Sequence, residues 1–277
     1  MTGSARLDTH KRGGDSMLGR YHYYRLHPFT LDELPPKITP QDAFNRLMSV
    51  GGFPEPFLDF NEREARRWRE ERYDRIIRDD IRDLENIKNI QSMALLLRLL
   101  RERVGGTINV SNLAKDLKVS PITVAKWIDV FEKMYLVFKV GAYSKNLPRA
   151  LQKPFKVYFF DNADVLGDKG AVFENLCANH LLKRCHFWQD HTGEQWELKF
   201  LRDKEGHEVD FVLIKDEKIE ELIEAKWSDS NISSGLKYFT QRLETKRSVQ
   251  IVADQKKYFK KDGFECIHPI EYFKKFW

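Results

Sequence analysis

Hydrophobic residues in the first half of the chain recur at three- and four-residue steps, the spacing of helices that bury one face. The pattern predicts helices over residues 42–48, from about 61 onward, 91–104, 110–117 and 121–134. In the longest of them, which begins near residue 61, arginines are interleaved with acidic residues. Mixed charges at that density indicate a solvated helix face stabilised by pairs three and four residues apart. We therefore do not interpret this helix as a nucleic-acid-binding stripe.

The second half of the chain changes to short apolar runs, which are typical of strands. Two such runs, 136–140 and 155–160, follow the last of the helices above. After them come a helix at 171–187, strands at 196–201, 208–214 and 220–226, a helix at 233–243, a strand at 248–253 and a helix at 269–276. This alternation predicts a mixed sheet flanked by helices. The aromatic-rich segment 21–26 predicts one further strand near the amino terminus.

The central elements follow the order of a winged helix: two helices, a turn, a third helix and a two-stranded ribbon. Ser120 is the predicted N-cap of the third helix, and Pro121 takes its first position. We therefore predict an α+β (mixed) fold with an N-terminal helical segment, a winged-helix domain and a C-terminal α/β module. The predicted boundaries are 1–36 for a short piece that cannot bury itself, 37–88 for a helical lid or linker, 89–154 for the winged helix and 155–277 for the α/β module.

Composition narrows the class of protein. The 277 residues suffice for about two domains, and 42% hydrophobic with 32% charged residues excludes disordered and collagen-like chains. No apolar run approaches the roughly 20 residues of a membrane span, and the amino terminus lacks the apolar core of a signal peptide. Because the three cysteines also lack a Cys-x-x-Cys spacing, we expect a cytoplasmic protein with no membrane partner. The net charge of +5 permits a nucleic-acid partner without requiring one.

Charged residues emerge from two predicted strands that are otherwise apolar. Glu224 and Lys226 share one face of their strand, and a hairpin between the strands brings Asp210 opposite Glu224. Glu174, in the first turn of the preceding predicted helix, supplies a further acid. Two carboxylates are suitable ligands for Mg²⁺, and a lysine beside them stabilises an attacking hydroxide or developing negative charge. The pattern therefore predicts a site for phosphodiester hydrolysis, with Asp210 and Glu224 as metal ligands.

Each of these residues also has a purely structural interpretation. Acid–lysine combinations on strands are often surface ion pairs, and an acidic residue in the first turn of a helix is favoured by the helix dipole. The apolar surroundings of Asp210, Glu224 and Lys226 favour the functional interpretation, since charges on buried strands are expensive without a role.

Polar residues also gather where a winged helix contacts DNA. The turn and the front of the third helix carry Lys118, Ser120, Thr123 and Lys126, in position to meet phosphates and base edges. Asp129 and Glu132 place negative charge on the later turns of the same helix. DNA binding and a structural or protein-binding role both remain open at this point.

Several motifs make the sequence similar to a known family. Gly206-His-Glu-Val-Asp-Phe-Val-Leu, Ile223-Glu-Ala-Lys-Trp and Phe173-Glu-Asn resemble the PD-(D/E)XK (restriction-endonuclease-like) module at the carboxyl end of a prokaryotic AAA-type ATPase family that carries the domain of unknown function DUF4143. Gly51-Gly-Phe-Pro-Glu and Lys156-Val-Tyr-Phe-Phe-Asp are similar to further landmarks of that family. The resemblance implies a DNA-associated protein with a nuclease-like site.

The same resemblance implies an amino-terminal P-loop ATPase core, but no Gly-x-x-x-x-Gly-Lys-[Ser/Thr] motif occurs in the sequence. Thr2-Gly3-Ser4 resembles the end of the sensor strand of such a core, and Gly19-Arg20 resembles its arginine-bearing turn. Arg20 is then expected to act in trans on a neighbour's nucleotide in an intact protein. We expect residues 1–36 to be the remnant of this core, and ATP to bind only in a chain that contains the P-loop.

Two hypotheses for function follow. In the first, the chain is the C-terminal region of an AAA-type ATPase, and its nuclease-like module is a Mg²⁺-dependent deoxyribonuclease. In the second, the same folds form a non-catalytic regulatory module that binds DNA, a partner protein or further copies of the chain.

Overall fold

The structure, a computed structural model, describes residues 22, 24–77, 90–144, 154–229, 231–255 and 258–274. The α-helices in these ranges are α1 (Pro40–Ser49), α2 (Pro54–Asp59), α3 (Glu62–Arg75), α4 (Ile90–Arg101), α5 (Val110–Leu117), α6 (Pro121–Lys133), α7 (Lys169–Thr192), α8 (Ser234–Thr240) and α9 (Pro269–Phe273). The strands are β1 (Val137–Ala142), β2 (Phe155–Phe159), β3 (Trp196–Arg202), β4 (Glu208–Lys215), β5 (Lys218–Lys226), β6 (Arg247–Val252), β7 (Phe259–Lys261) and β8 (Phe264–Ile267). A 3-10 turn covers Asn162–Asp164. None of the helices in these ranges is both long and apolar enough to cross a membrane.

All eight strands form one mixed sheet, in the order β2-β1-β3-β4-β5-β6-β8-β7. Three neighbouring pairs are parallel, namely β1 with β3, β5 with β6, and β6 with β8. The predicted mixed α+β class is therefore confirmed. The predicted domain boundary between residues 154 and 155 separates β1 from β2, two strands that pair with each other in this sheet.

Strands β1 and β2 are buried on both faces, because their alternate side chains enter two different cores. Phe138 and Tyr158 pack on the side of the long helix α7, together with Phe173. Val137 and Val157 point the other way and pack against α4, α5 and α6. A third core forms where α8 covers β4 and β5. The sheet is thus the layer that joins the helical part of the chain to the α/β part.

Helices α5 and α6 are joined by a three-residue turn. Lys118 ends α5 in the left-handed conformation, with a φ of 53°. The predicted N-cap of α6 is confirmed, since Ser120 accepts a hydrogen bond from the backbone N–H of Thr123 at 3.1 Å. This turn and the packing of both helices against β1 and β2 have the order expected of a winged helix, and that domain assignment stays a prediction.

The predicted strand at 21–26 is not observed in its described residues, 22 and 24–26, which lie outside any strand. The physical reason is that this segment is held by contacts between Arg25 and Asp190 of helix α7, and not by pairing with a neighbouring strand. Arg25 donates from its backbone N–H to Asp190 of α7 at 2.9 Å, and its guanidinium forms an ion pair with the same carboxylate. Thr2-Gly3-Ser4 and Arg20 lie outside the described residues.

Helix α3 is anchored to the sheet side of the molecule by one arginine. Arg72 pairs with Asp164 at 2.6 Å and with Asp161 at 3.4 Å, and both carboxylates are fully buried. Burial, reinforced by the neighbouring charge of Asp164, raises the pKa of Asp161 to about 7. The two acids therefore depend on Arg72 for compensation of their charge.

We expect Arg72→Met to lower the free energy of unfolding by about 3–5 kcal/mol, because it removes the ion-pair partner of two buried carboxylates. Urea denaturation of the purified chain measures this loss. Arg67→Met is the matched control on the same helix, because the Arg67–Glu71 pair is largely exposed, and its loss costs about 0.5 kcal/mol or less. Equal effects of the two substitutions would contradict the anchoring role of Arg72.

Candidate functional site

The hairpin of β4 and β5 brings the predicted acids together. Its register pairs Phe211 with Ile223, which places Asp210 beside Glu224. The backbone N–H of Asp210 donates to Glu224 Oε2 at 3.4 Å, and the N–H of Ala225 donates to Asp210 Oδ2 at 3.1 Å. Both acids are buried, with 8% and 5% of their surface exposed. Each of the two side chains thus accepts a backbone N–H from the other strand of the predicted hairpin.

Strand β4 contains a β-bulge at this point. Leu201 of β3 pairs with Val209 and Lys199 pairs with Val212, so two residues of β4, Asp210 and Phe211, oppose the single residue Phe200. A bulge changes the direction in which the side chains of the longer strand point. Asp210 lies at this bulge and contacts both Lys156 of β2 and the backbone of β5.

Lys226 extends from Glu224 toward solvent. Its Nζ lies 2.8 Å from Glu224 Oε1, and 38% of its side chain is exposed. Burial alone would lower the pKa of Lys226, but the charges of Glu224 and Asp210 outweigh it and raise the pKa. The ammonium therefore stays positive and accessible at the edge of the cluster.

Glu174 joins the cluster from helix α7. The helix begins at Lys169, two residues earlier than predicted, because Asp168 caps it by accepting from the N–H of Ala171. Glu174 therefore lies beyond the first turn, which removes much of the helix-dipole explanation for an acid there. Its Oε1 accepts a hydrogen bond from the hydroxyl of Tyr158 at 2.7 Å.

A residue that the sequence interpretation did not single out lies at the centre. Lys156 of β2 is fully buried, and its Nζ contacts Glu208 Oε1 at 2.7 Å, Glu174 Oε1 at 3.3 Å and Asp210 Oδ1 at 3.4 Å. A signal for it was present, since Lys156 alternates with Tyr158 on one face of a strand whose other residues are apolar. We refer to Glu174, Glu208, Asp210 and Glu224 as the carboxylate cluster.

Burial and mutual repulsion perturb the acids of this cluster. Burial, with the nearby charge of Asp210, raises the pKa of Glu224 to about 7. The same two causes raise the pKa of Glu174. Burial alone would lower the pKa of Lys156, but the surrounding carboxylates reverse that effect and raise it.

Three cations face the four acids of the carboxylate cluster, because Arg202 pairs with Glu208 Oε2 at 3.1 Å in addition to the pairs of Lys156 and Lys226. When all four acids are ionised, the cluster therefore keeps one excess negative charge, which attracts cations.

The donor set fits a hard divalent cation held by two carboxylates. Asp210 and Glu224 offer oxygens from neighbouring strands, and Mg²⁺ commonly keeps water in its remaining positions. Within the described residues, three ligand atoms lie within 4.8 Å of one another only at Asp203, Glu205 and His207, on the turn between β3 and β4. The described acids of the carboxylate cluster do not form such a group of three, so Asp210 and Glu224 would hold an ion as a pair, while Glu174 is directed to Lys156 and Tyr158.

The predicted DNA contacts cluster at the turn between α5 and α6. Lys118, Ser120 and Lys126 are exposed and Thr123 is half-buried. The hydroxyls of Ser120 and Thr123 lie 2.8 Å apart, so both serve the helix cap. The two lysines therefore provide the positive charge of this surface.

Comparison with known families divides the chain into two matched parts. Residues 169–273 match the family described as Domain of unknown function (DUF4143). Residues 41–163 match a second family, described as Domain of unknown function (DUF8612). A search of curated proteins and a search of solved structures each give no match.

The DUF4143 match includes every acid of the carboxylate cluster and Lys226. Lys156 and the turn between α5 and α6 fall in the DUF8612 match. The two matched segments therefore contribute to the same site and to the same sheet.

The turn after α4 closes against the cluster at Gly105. This glycine has a φ of +80°, and a Cβ added to it would lie 2.6 Å from Glu174 Oε2. We expect Gly105→Ala to lower the free energy of unfolding by about 1–2 kcal/mol, because a left-handed backbone disfavours any Cβ and the methyl group displaces the carboxylate. Gly106→Ala is the neighbouring control, since its nearest contact is 3.3 Å away and its φ is not positive. Chemical denaturation compares them, and an unchanged stability in Gly105→Ala would contradict this packing.

Proposed function

We propose that this chain is a DNA-associated protein whose carboxylate cluster hydrolyses phosphodiester bonds with the help of Mg²⁺. The observation that carries the proposal is the hairpin geometry, in which Asp210 and Glu224 are adjacent and Lys226 extends from Glu224 to solvent. Buried acids with a partly exposed lysine at their edge are the arrangement that the chemistry of a phosphate ester needs.

Each side chain has a distinct role in this proposal. Asp210 and Glu224 hold the ion, which when bound supplies Lewis acidity to the phosphate and to its water. Lys226 stabilises the negative charge of the attacking oxygen, since its ammonium is partly exposed to solvent beside Glu224. Glu174, which is oriented by the hydroxyl of Tyr158, supports the metal ligands from helix α7.

The proposed DNA contact is the turn between α5 and α6. Lys118 and Lys126 contact phosphates there, and Ser120 and Thr123 hold the helix start in place. The proposed setting as the C-terminal region of an AAA-type ATPase rests on the sequence resemblance, and ATP is not assigned to any of the described residues.

The second candidate is a non-catalytic module that binds DNA or a protein through the same surfaces. Lys156 favours it, because an internal ammonium already compensates three acids of the cluster. Cleavage and binding assays separate the two candidates.

We expect the purified chain to cleave single-stranded, duplex or branched DNA when Mg²⁺ or Mn²⁺ is present, and to stop when the metal is chelated. Asp210→Asn should abolish cleavage, and Lys226→Met should slow it by about 10²–10³-fold because it removes one charge that stabilises the transition state. Gel analysis of labelled DNA measures both.

Asp262→Asn is the control for this assay, because Asp262 is exposed on the turn between β7 and β8 and lies outside the carboxylate cluster. It should leave cleavage unchanged. The proposal of hydrolysis fails if none of these DNAs is cut, or if cutting survives in Asp210→Asn.

We expect DNA affinity to fall steeply with salt, because each phosphate contact releases counterions. Replacing Lys118 and Lys126 together by alanine should reduce the slope of log K against log salt by about 2. Fluorescence anisotropy over a salt series measures it. Lys133→Ala is the control, since this exposed lysine lies in the last turn of α6, the helix that also contains Lys126. A salt-independent affinity, or no binding, would favour a protein partner for this surface.

A further inference from the structure

The ammonium of Lys156 lies where three carboxylates meet. Oxygens of Glu174, Glu208 and Asp210 surround it at 2.7–3.4 Å, and its side chain is 1% exposed. Burying a lysine is costly unless paired charges compensate it. The enclosed ammonium therefore acts as a fixed cation of the site, with no access to solvent.

The two carboxylate oxygens of Asp210 face different partners. Oδ1 contacts Lys156, and Oδ2 accepts the backbone N–H of Ala225 on β5. The carboxylate cluster therefore has two parts. Glu174, Glu208 and one oxygen of Asp210 gather around Lys156, while Glu224 and Lys226 lie on the β5 side of Asp210.

Sites that hydrolyse phosphodiester bonds commonly hold two metal ions about 3.5–4 Å apart, bridged by a shared carboxylate. Asp210 lies between the two parts of the cluster, where such a bridge would lie, because its Oδ1 contacts Lys156 and its backbone N–H donates to Glu224 Oε2. On the Oδ1 side of Asp210, the chain supplies its own positive charge through Lys156.

Resting on the function proposed above, we infer that Lys156 takes the place of one divalent cation in the carboxylate cluster. The cluster then binds one ion fewer than its acids would otherwise hold. Lys156 is a positioning residue in this scheme. It fixes Glu174 and Asp210 and carries a charge that does not depend on the supply of metal.

Counting bound Mn²⁺ tests this inference without reference to cleavage. The electron paramagnetic resonance signal of free Mn²⁺, recorded during titration of the full chain, gives the number of ions bound. We expect Lys156→Met to bind one ion more than the unsubstituted chain. Lys156→Arg, which keeps the charge, should bind the same number as the unsubstituted chain.

Lys139→Met is the matched control. Lys139 lies on the adjacent strand β1 and also pairs with two acids, Asp129 at 2.7 Å and Glu132 at 3.0 Å, which belong to α6 and not to the cluster. Lys139→Met changes the net charge by the same amount as Lys156→Met. An increase in the number of bound Mn²⁺ ions that is due to net charge alone would therefore occur in both variants.

A folding control is needed, because Lys156→Met removes the ion-pair partner of Glu174 and Asp210 and leaves Glu208 only with Arg202. Circular dichroism establishes whether the variant is folded, and the double variant Lys156→Met with Glu208→Gln removes one of those acids. The double variant keeps Glu174 and Asp210, and it should also bind one ion more than Glu208→Gln alone.

Equal ion counts in the unsubstituted chain and in the folded Lys156 variants would overturn the inference. An additional ion that appears in Lys139→Met as well would also overturn it. The proposed hydrolysis can fail separately. An additional ion in Lys156→Met, together with no cleavage by the unsubstituted chain, supports the role of Lys156 and contradicts the nuclease.

Discussion

The charge balance around Lys156 constrains three elements at once. Its ammonium holds Glu208 and Asp210 of β4 and Glu174 of α7 against β2. Because none of these groups can be left buried without its partners, strand order, helix position and the shape of the site depend on one another. The bulge in β4 lies at the same point, since one of its two residues is Asp210, which contacts both β2 and β5.

Much of the site could be predicted because the relevant signals are local. Alternation of side chains along two apolar strands was enough to place Asp210 opposite Glu224 and Lys226 beside Glu224. The role of Lys156 could not be predicted in the same way, since its partners are 18 to 54 residues away along the chain. The bulge has no local signal either, because neither of its residues is a glycine. For segment 21–26, the sequence predicted a strand that its described residues do not form, because the β-propensity of these residues was outweighed by the contact of Arg25 with α7.

The fold was predictable at the level of class and of most elements, and less so at the level of domains. The hydrophobic pattern separates helices from strands, but it cannot show that β1 and β2 serve two cores. Their side chains alternate between the helices α4 to α6 and helix α7. The short hairpin of β7 and β8 was absent from the prediction, since strands of three and four residues are too short to show a periodicity.

The boundary between the two family matches falls after β2 and before α7. A protein shortened to the DUF4143 match would lose β1, the strand that pairs with β3. The N–H and C=O groups of β3 would then form an open sheet edge beside an uncovered apolar face, the combination that promotes intermolecular pairing and aggregation. Where this sheet is divided therefore decides whether β3 keeps its neighbouring strand or becomes an open edge.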